Sequence, residues 1–343
     1  MAESGKGGGG PVFSEDSLIA RHFRPLAAGF PGALDLRDDA ASFGVPEGSE
    51  LVVTTDALIA GVHFFADDAP ADIAFKALAV NVSDLAAKAA APLAYSIALA
   101  LPRGASEDWI AGFAGGLGEA QAAFGIALSG GDTTVSPNGP LMVAVTAFGS
   151  VPAGRMVRRG GAQAGDHLYV SGSIGDAALG LALRRGDAES RGWPLDEAAR
   201  AELITRYLRP APRLALRAAL LAHASAAMDV SDGLAIDCAR LCAASGVDGR
   251  IEAASVPLSA PAQSLIAAHP ALLETALTGG DDYEILAAIP EAQHAAFSDA
   301  AAKAGIRVTR IGAIGGPGGA LTLSDPDGRP LALARTGYDH LAR

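Results

Sequence analysis

The chain has 343 residues, 50% of them hydrophobic and 19% charged, which is enough for a sizeable core and long enough for two domains. Its formal net charge of −12 sets it against nucleic acid and anionic membrane, so neither is an expected partner. The same charge repels nucleotides and phosphorylated metabolites. Such ligands would need local positive charge, from metal ions or from a few placed Arg and Lys.

Residues 1–12 are rich in glycine and predict a flexible tail. Lys6 among those glycines has no strand before it and no Walker spacing after it, so it is not a phosphate loop. No basic region followed by an apolar run marks a signal peptide. Every apolar window is broken before transmembrane length. The cytosol is therefore the expected compartment. The two cysteines, Cys238 and Cys242, lie four apart on a helical stretch without a His partner, and read as buried thiols in a reducing compartment.

From residue 13 onward strands and helices alternate. FSEDSLIARHF predicts a helix capped by Ser14. Strands are expected over 51–55, 94–101, 126–132 and 141–151, and helices over 70–90 and 106–124. The polar, basic, Gly-rich stretch 152–166 reads as a boundary, so the expected domains are 13–151 and 152–343. The second half repeats the style, with strands at 167–171, 226–229, near 250, at 283–289 and from 307 onward. Helices are expected at 174–185, 196–208, 211–224, 233–244, from 259 and at 291–304. The fold class is α/β (α+β), and the pattern does not choose between the two.

Five segments put Asp beside Gly, Thr or Ser at the ends of these strands: Arg37-Asp38-Asp39, Thr54-Thr55-Asp56, Ser129-Gly130-Gly131-Asp132, Asp229-Val230-Ser231-Asp232 and Gly279-Gly280-Asp281-Asp282. Asp84 adds a sixth acid within the helical KALAVNVSDLAAK. Singly, each has a plain explanation as a turn or a helix cap. Collectively they suggest more, because gathering carboxylates is costly unless cations neutralise them. Mg²⁺, which takes a few carboxylates, waters and substrate phosphates, fits that need. Glycines beside the acids let the backbone approach a phosphate. Arg155, Arg158 and Arg159 at the boundary are candidate phosphate clamps, and His63 follows the TTD strand end closely enough to be a site residue. Neither a P-loop nor a protein-kinase motif set is present.

In their order, FSEDSLIARHF, DDAA, VVTTDALIAGVHF, KALAVNVSDLAAKAAAP, SGGDTT, GRMVRRGGAQAGD, LRPAPR, DVSDGLAIDCARL, LTGGDDYEIL and GYDHL resemble the thiamine-monophosphate kinase family. That family belongs to the superfamily that includes aminoimidazole ribotide synthetase. The resemblance implies a two-domain fold whose N-terminal domain pairs across a homodimer, and ATP-dependent phosphorylation of thiamine monophosphate to the diphosphate. It implies Mg²⁺ ligands at Asp39, Thr54, Thr55, Asp56, Asp84, Asp132, Asp229 and Asp232. ATP contacts are implied at Gly131, Asp132, Arg159 and Ser231, with Asp132 and Arg159 catalytic. Contacts to the thiamine phosphate are implied at His63, Asp282 and Tyr338.

The chain departs from the family's usual pattern at Arg37, Lys88, Asp281 and Leu341. Selenophosphate synthetase and the hydrogenase maturation enzyme are the nearest rivals in the superfamily, along with aminoimidazole ribotide synthetase itself. The first typically has a reactive Cys or selenocysteine in a Gly-rich N-terminal loop, and the second ends in Cys. Here the Gly-rich stretch has no Cys and the last residue is Arg343. A non-catalytic nucleotide sensor would be expected to lack one or more of the acids.

Overall fold

The computed structural model describes residues 14–325, 327–334, 337 and 338. The expected tail over 1–12 and the departure at Leu341 lie outside the described residues. Ser14 caps the first helical turns through its hydroxyl, which accepts from the Ser17 amide at 3.2 Å.

The first sheet comprises β1 (Ser49–Ile59), β2 (Ala91–Pro102), β3 (Ala127–Ser136) and β4 (Met142–Pro152) in the order β1-β4-β2-β3. Two helices cover one of its faces, α1 (Pro70–Ala87) and α2 (Glu107–Phe124). Pro70 opens α1, where its missing N–H is not needed. Ser106 caps α2 by accepting from the Trp109 amide, and Gly125 closes it in the left-handed region. The helices meet closely because Gly116 has no side chain: a Cβ there would lie 2.2 Å from the Ala71 carbonyl oxygen. Val52, Leu58, Ile97, Leu99, Val143 and Val145 build a core with Leu78, Phe113 and Leu117 from the helices. Among the described residues the other face of the sheet is largely open: Phe43 packs on Phe148 there, and Leu51 and Val53 on β1 are half exposed.

The second sheet comprises β5 (His167–Ser171), β6 (Ala226–Val230), β7 (Val247–Glu252), β8 (Glu284–Ile289), β9 (Val308–Pro317) and β10 (Leu321–Ser324), in the order β10-β7-β9-β5-β8-β6. Its connecting helices are α3 (Asp176–Arg185), α4 (Glu197–Leu208), α5 (Arg217–His223), α6 (Leu234–Ser245), α7 (Ala260–Ala268), α8 (Leu272–Thr278) and α9 (His294–Lys303). Strands β5, β6 and β8 are buried throughout, and their side chains alternate between two cores, as a two-faced strand requires. Leu168, Val170, Met228, Leu286 and Ala288 join α6 on one face. Tyr169, Ala227, Ile285 and Ala287 join Phe297 of α9 on the other, together with Ala86 and Ala87 from the end of α1.

Helix α1 therefore packs on the first sheet and also reaches β6 and β8 of the second. It is apolar nearly all round, as a helix buried between two layers should be. Among the described residues most strand pairs are antiparallel, with only β2–β3 and β7–β10 parallel. This settles the class as α+β within the two-domain expectation.

Candidate active site

A cavity of about 630 Å³ opens where α1, the end of β1, the β6–α6 loop and the loop before β8 meet. Asp56, Asp84, Asp229 and Asp232 line it, with Ser231, His63 and Tyr338. Each acid is held by a neighbour, through its side chain or its backbone. The Thr54 hydroxyl donates to Asp84 at 2.5 Å. The Asp56 amide donates to the buried Asn81 side chain, which in turn donates to the Ala77 carbonyl of α1. The Ser83 hydroxyl donates to Asp229 at 2.6 Å. Asp237, in the first turn of α6, accepts from the Ser231 and Asp232 amides at 3.0 and 2.9 Å and so sets the β6–α6 loop. Arg240 pairs with both Asp232 and Asp237.

The acids crowd one another. Burial, then the charges of Asp84 and Asp232, push Asp56 up to about 6. Burial, then Asp84, push Asp229 up to about 8, against the Ser83 hydrogen bond and the nearby Lys88 ammonium. A pocket with carboxylates held this high is short of positive charge. Among the described residues no three His, Cys, Asp or Glu side chains form a ready set of metal ligands. The oxygen donors instead suit a hard cation that draws the rest of its shell from water and phosphate.

The eight expected metal-binding residues do not come together within one chain. Asp39 and Asp132 line a second cavity of about 820 Å³, with Gly130, Gly131 and Phe148. The register explains the split. Asp56 aligns with Val145 of β4, Ile97 of β2 and Gly131 of β3, so β1 and β3 are opposite edges of the sheet, about 14 Å apart by strand spacing. Alternation then puts Thr54 and Asp56 on the face covered by α1. Thr55 points to the open face, where its hydroxyl meets the Thr146 hydroxyl at 2.9 Å and donates to the Val145 carbonyl. Asp132 aligns with Ala98 of β2, which aligns with Ala144 and, through it, with Ala57, and shares that open face. Gly131 has no room for a side chain, since a Cβ would lie 2.3 Å from the Ile97 carbonyl oxygen.

The Gly279–Tyr283 loop corrects another expectation. Asp281 and Tyr283 line the first cavity, whereas Asp282 does not. Asp281 and Tyr283 adopt φ of +73° and +51°, unusual for side chains with a Cβ. Their amides donate to the Ser231 and Val230 carbonyls, each at 2.8 Å. The residue between them is thrown to the other side. Buried Asp282 accepts from the Gly175 and Ala177 amides at the start of α3, where the helix dipole favours an anion. Burial holds its carboxyl well above the usual range. It is an anchor for α3 rather than a wall of the cavity.

The remaining predicted residues are placed as follows. His63 accepts from the Ile59 amide through Nδ1 at 3.0 Å, which leaves the ring proton on Nε2. The Tyr338 amide donates to the Asp232 carbonyl. Arg159 is exposed and lines neither cavity. Its loop lies against β6 through an Ala227 amide to Arg158 carbonyl bond of 2.9 Å. The Ala227 carbonyl accepts from Lys88 Nζ at 2.8 Å.

The residues linking these groups were less visible in the sequence. Asn81 and Ser83 show as polar interruptions in an apolar helix. Asp237 and Arg240 show only as an i,i+3 pair.

Residues 37–151 match the model of the AIR synthase related protein, N-terminal domain, and residues 163–323 that of its C-terminal domain. The thiamine-monophosphate kinase of Caulobacter vibrioides is 44% identical over 302 residues, covering 87% of this chain and 83% of its own. That of Escherichia coli strain K12 is 40% identical over 329 residues, covering 96% and 98%.

The chain belongs to the thiamine-monophosphate kinase family.

Solved structures agree with that membership. The thiamine-monophosphate kinase of Stenotrophomonas maltophilia K279a superposes with a TM-score of 0.77 at 40% identity, covering 86% of this chain and 91% of the other. AaThiL complexed with AMPPCP and TMP gives 0.74 at 30% identity, covering 89% and 91%. The hydrogenase maturation protein HypE shares the fold, with a TM-score of 0.77 at 20% identity over 97% of each chain. Among the described residues no helix is long and apolar enough to cross a membrane.

Proposed function

We propose that this chain transfers the γ-phosphoryl group of ATP directly, in line, to the terminal phosphate of thiamine monophosphate. The observation that carries the reading is the interdomain cavity with its crowded, upward-shifted carboxylates, in a family whose relative AaThiL is complexed with AMPPCP and TMP. AMPPCP is ATP with a methylene in place of the β,γ-bridging oxygen, the bond that transfer would break.

In this reading Asp56, Asp84, Asp229 and Asp232 hold Mg²⁺, with Thr54 and Ser83 orienting two of them. Bound there, Mg²⁺ would screen the repulsion between two phosphate-bearing reactants and stabilise the charge of the transferred group. The acceptor is already an anionic phosphate oxygen, so no strong general base is needed. Ser231 and Arg159 would hold ATP phosphates, and His63, Tyr338 and Asp281, rather than Asp282, would face the thiamine phosphate.

Asp39, Gly131 and Asp132 require a further step, because Gly131 and Asp132 lie on the opposite edge of the sheet from Asp56, Asp132 also on its other face, and Asp39 lines the same cavity as these two. We infer that a second copy packs on the open face, over the half-exposed Leu51 and Val53, and that each copy's Asp39 and Asp132 serve the site of its twin. A two-fold axis makes such an exchange reciprocal.

The test uses purified protein with ATP, Mg²⁺ and either thiamine monophosphate or thiamine, with products separated by chromatography. Thiamine diphosphate formed only from the monophosphate, and lost with EDTA, is expected. No thiamine diphosphate from protein that still binds AMPPCP would overturn the reading. Mixing inactive Asp56→Asn and Asp132→Asn proteins, after exchange of subunits, should restore about a quarter of wild-type activity if the site is shared. No recovery would restrict all the acids to one chain.

A further inference from the structure

On helix α1, Lys76, Val80 and Asp84 recur every four residues, and all three line the first cavity. They form one stripe, with the two charged residues about 12 Å apart along the axis. The Asp84 end carries the crowded carboxylates. The Lys76 end is built differently. Its side chain is only 2% exposed. The ammonium lies 3.0 Å from Asp281 Oδ2 and 3.1 Å from the His63 carbonyl oxygen, and 3.8 Å above the Tyr207 ring. Three partners account for a group with three donors and no acceptor. Burial pushes this amine below its ordinary range, and the carboxylate of Asp281 is the foremost influence opposing it.

We propose that Lys76 is a positioning residue for substrate selection, fixing Asp281 so that its carboxylate accepts a hydrogen bond from the exocyclic amine of the substrate's pyrimidine ring. The proposal rests on the reading of thiamine monophosphate as substrate. That molecule carries its phosphate at one end and an aminopyrimidine at the other, which matches a cavity with cation-seeking acids at one end and a braced acceptor at the other. Lys76 belongs to the first domain and Asp281 to the second, so the pair bridges the two walls. Asp281 is otherwise tied through its amide to Ser231 and has a left-handed backbone. Its remaining side-chain contact is a long one, from the Tyr283 hydroxyl at 3.3 Å. Lys76 is thus the principal hold on the carboxylate. Asp281 keeps 26% of its side-chain surface accessible while Lys76 keeps almost none, as expected if the acid meets a ligand and the lysine meets the acid.

The experiment compares thiamine monophosphate with its 4-oxo analogue, oxythiamine monophosphate, in wild type, Lys76→Met, Asp281→Asn and the double variant. Wild type should prefer the amine on the order of a hundredfold or more in kcat/KM, because a site built around a hydrogen bond rejects a ligand that cannot make it. Lys76→Met should raise KM for the natural substrate about tenfold or more, leave kcat within about threefold, and cut the preference at least tenfold. The double variant should be no worse than Asp281→Asn, since both act on one contact. Affinity for AMPPCP should match wild type in all three variants and reports an intact fold. Lys76→Met with unchanged KM and preference would overturn the proposal. So would a loss of kcat and AMPPCP affinity with preference intact, which is the mark of a merely structural lysine. If wild type itself fails to phosphorylate thiamine monophosphate, the functional reading falls, and that failure is distinct because it appears without any substitution.

Discussion

Two groups of buried acids stand at the same end of the strand pair β6 and β8, on opposite faces of the sheet, and the molecule treats them differently. Glu284 opens β8 and is fully buried. Arg213 grips it with two nitrogens, Arg206 Nη2 donates at 2.7 Å, and the Ser171 hydroxyl donates at 2.6 Å. Asp229 lies opposite the neighbouring Ile285 in the ladder. It receives one hydroxyl, from Ser83, and faces Asp84 instead of an arginine. A carboxylate that the protein neutralises itself belongs to the framework. One that is left short of cations beside a cavity is prepared for a ligand that brings them.

The comparison breaks most visibly at Glu284. Glu284→Ala strands two part-buried arginines and should cost about 4 kcal/mol or more of unfolding free energy. Chemical denaturation reads this directly, and a loss below about 1 kcal/mol would mean that the arginines find other partners.

Asp229→Asn should behave in the opposite way. Activity should fall on the order of a thousandfold, about 4 kcal/mol of transition-state stabilisation, with no loss of stability at pH 7. The pH dependence gives a second check. Because the folded state holds the Asp229 proton to about pH 8 while the unfolded chain releases it near the ordinary value of 3.8, the folded state binds more protons across that window. Metal-free wild type should therefore lose stability as pH rises from about 5 to 8. Asp229→Asn should flatten the slope, and a thermal melt series that keeps the wild-type slope would show that Asp229 is not its source.

The contrast also marks what the sequence could and could not reveal. The strands, the helices and the acids at strand ends were legible, because period-two and helical patterns are local and Asp-Gly pairs stand out. The family match carried most roles to positions that do line the two cavities. It failed at Asp282, because the side on which an acid emerges depends on two left-handed residues, Asp281 and Tyr283, that no periodicity announces. It was silent on the separation of Asp132 from Asp56, which follows from strand order: β4 and β2 intervene, and order is a long-range property. Lys76 was visible only as a polar break in an apolar helix, since its partner lies 205 residues away.

Asp232 is the intermediate case and offers the finest test. It lines the cavity with the uncompensated acids, yet Arg240 already occupies one of its oxygens. Two roles for Arg240 make opposite predictions. If it orients Asp232, its loss weakens Mg²⁺ binding. If it only screens, its loss uncovers charge and strengthens binding. The geometry favours screening, because Asp237 holds the Ser231 and Asp232 amides without help from the arginine. Arg240→Ala should therefore lower the Mg²⁺ concentration for half-maximal activity a few-fold, a change of about 1 kcal/mol or less for a partly exposed pair. A rise in that concentration would instead make Arg240 part of what aims the carboxylate, and would place Asp232 nearer to Glu284 than to Asp229.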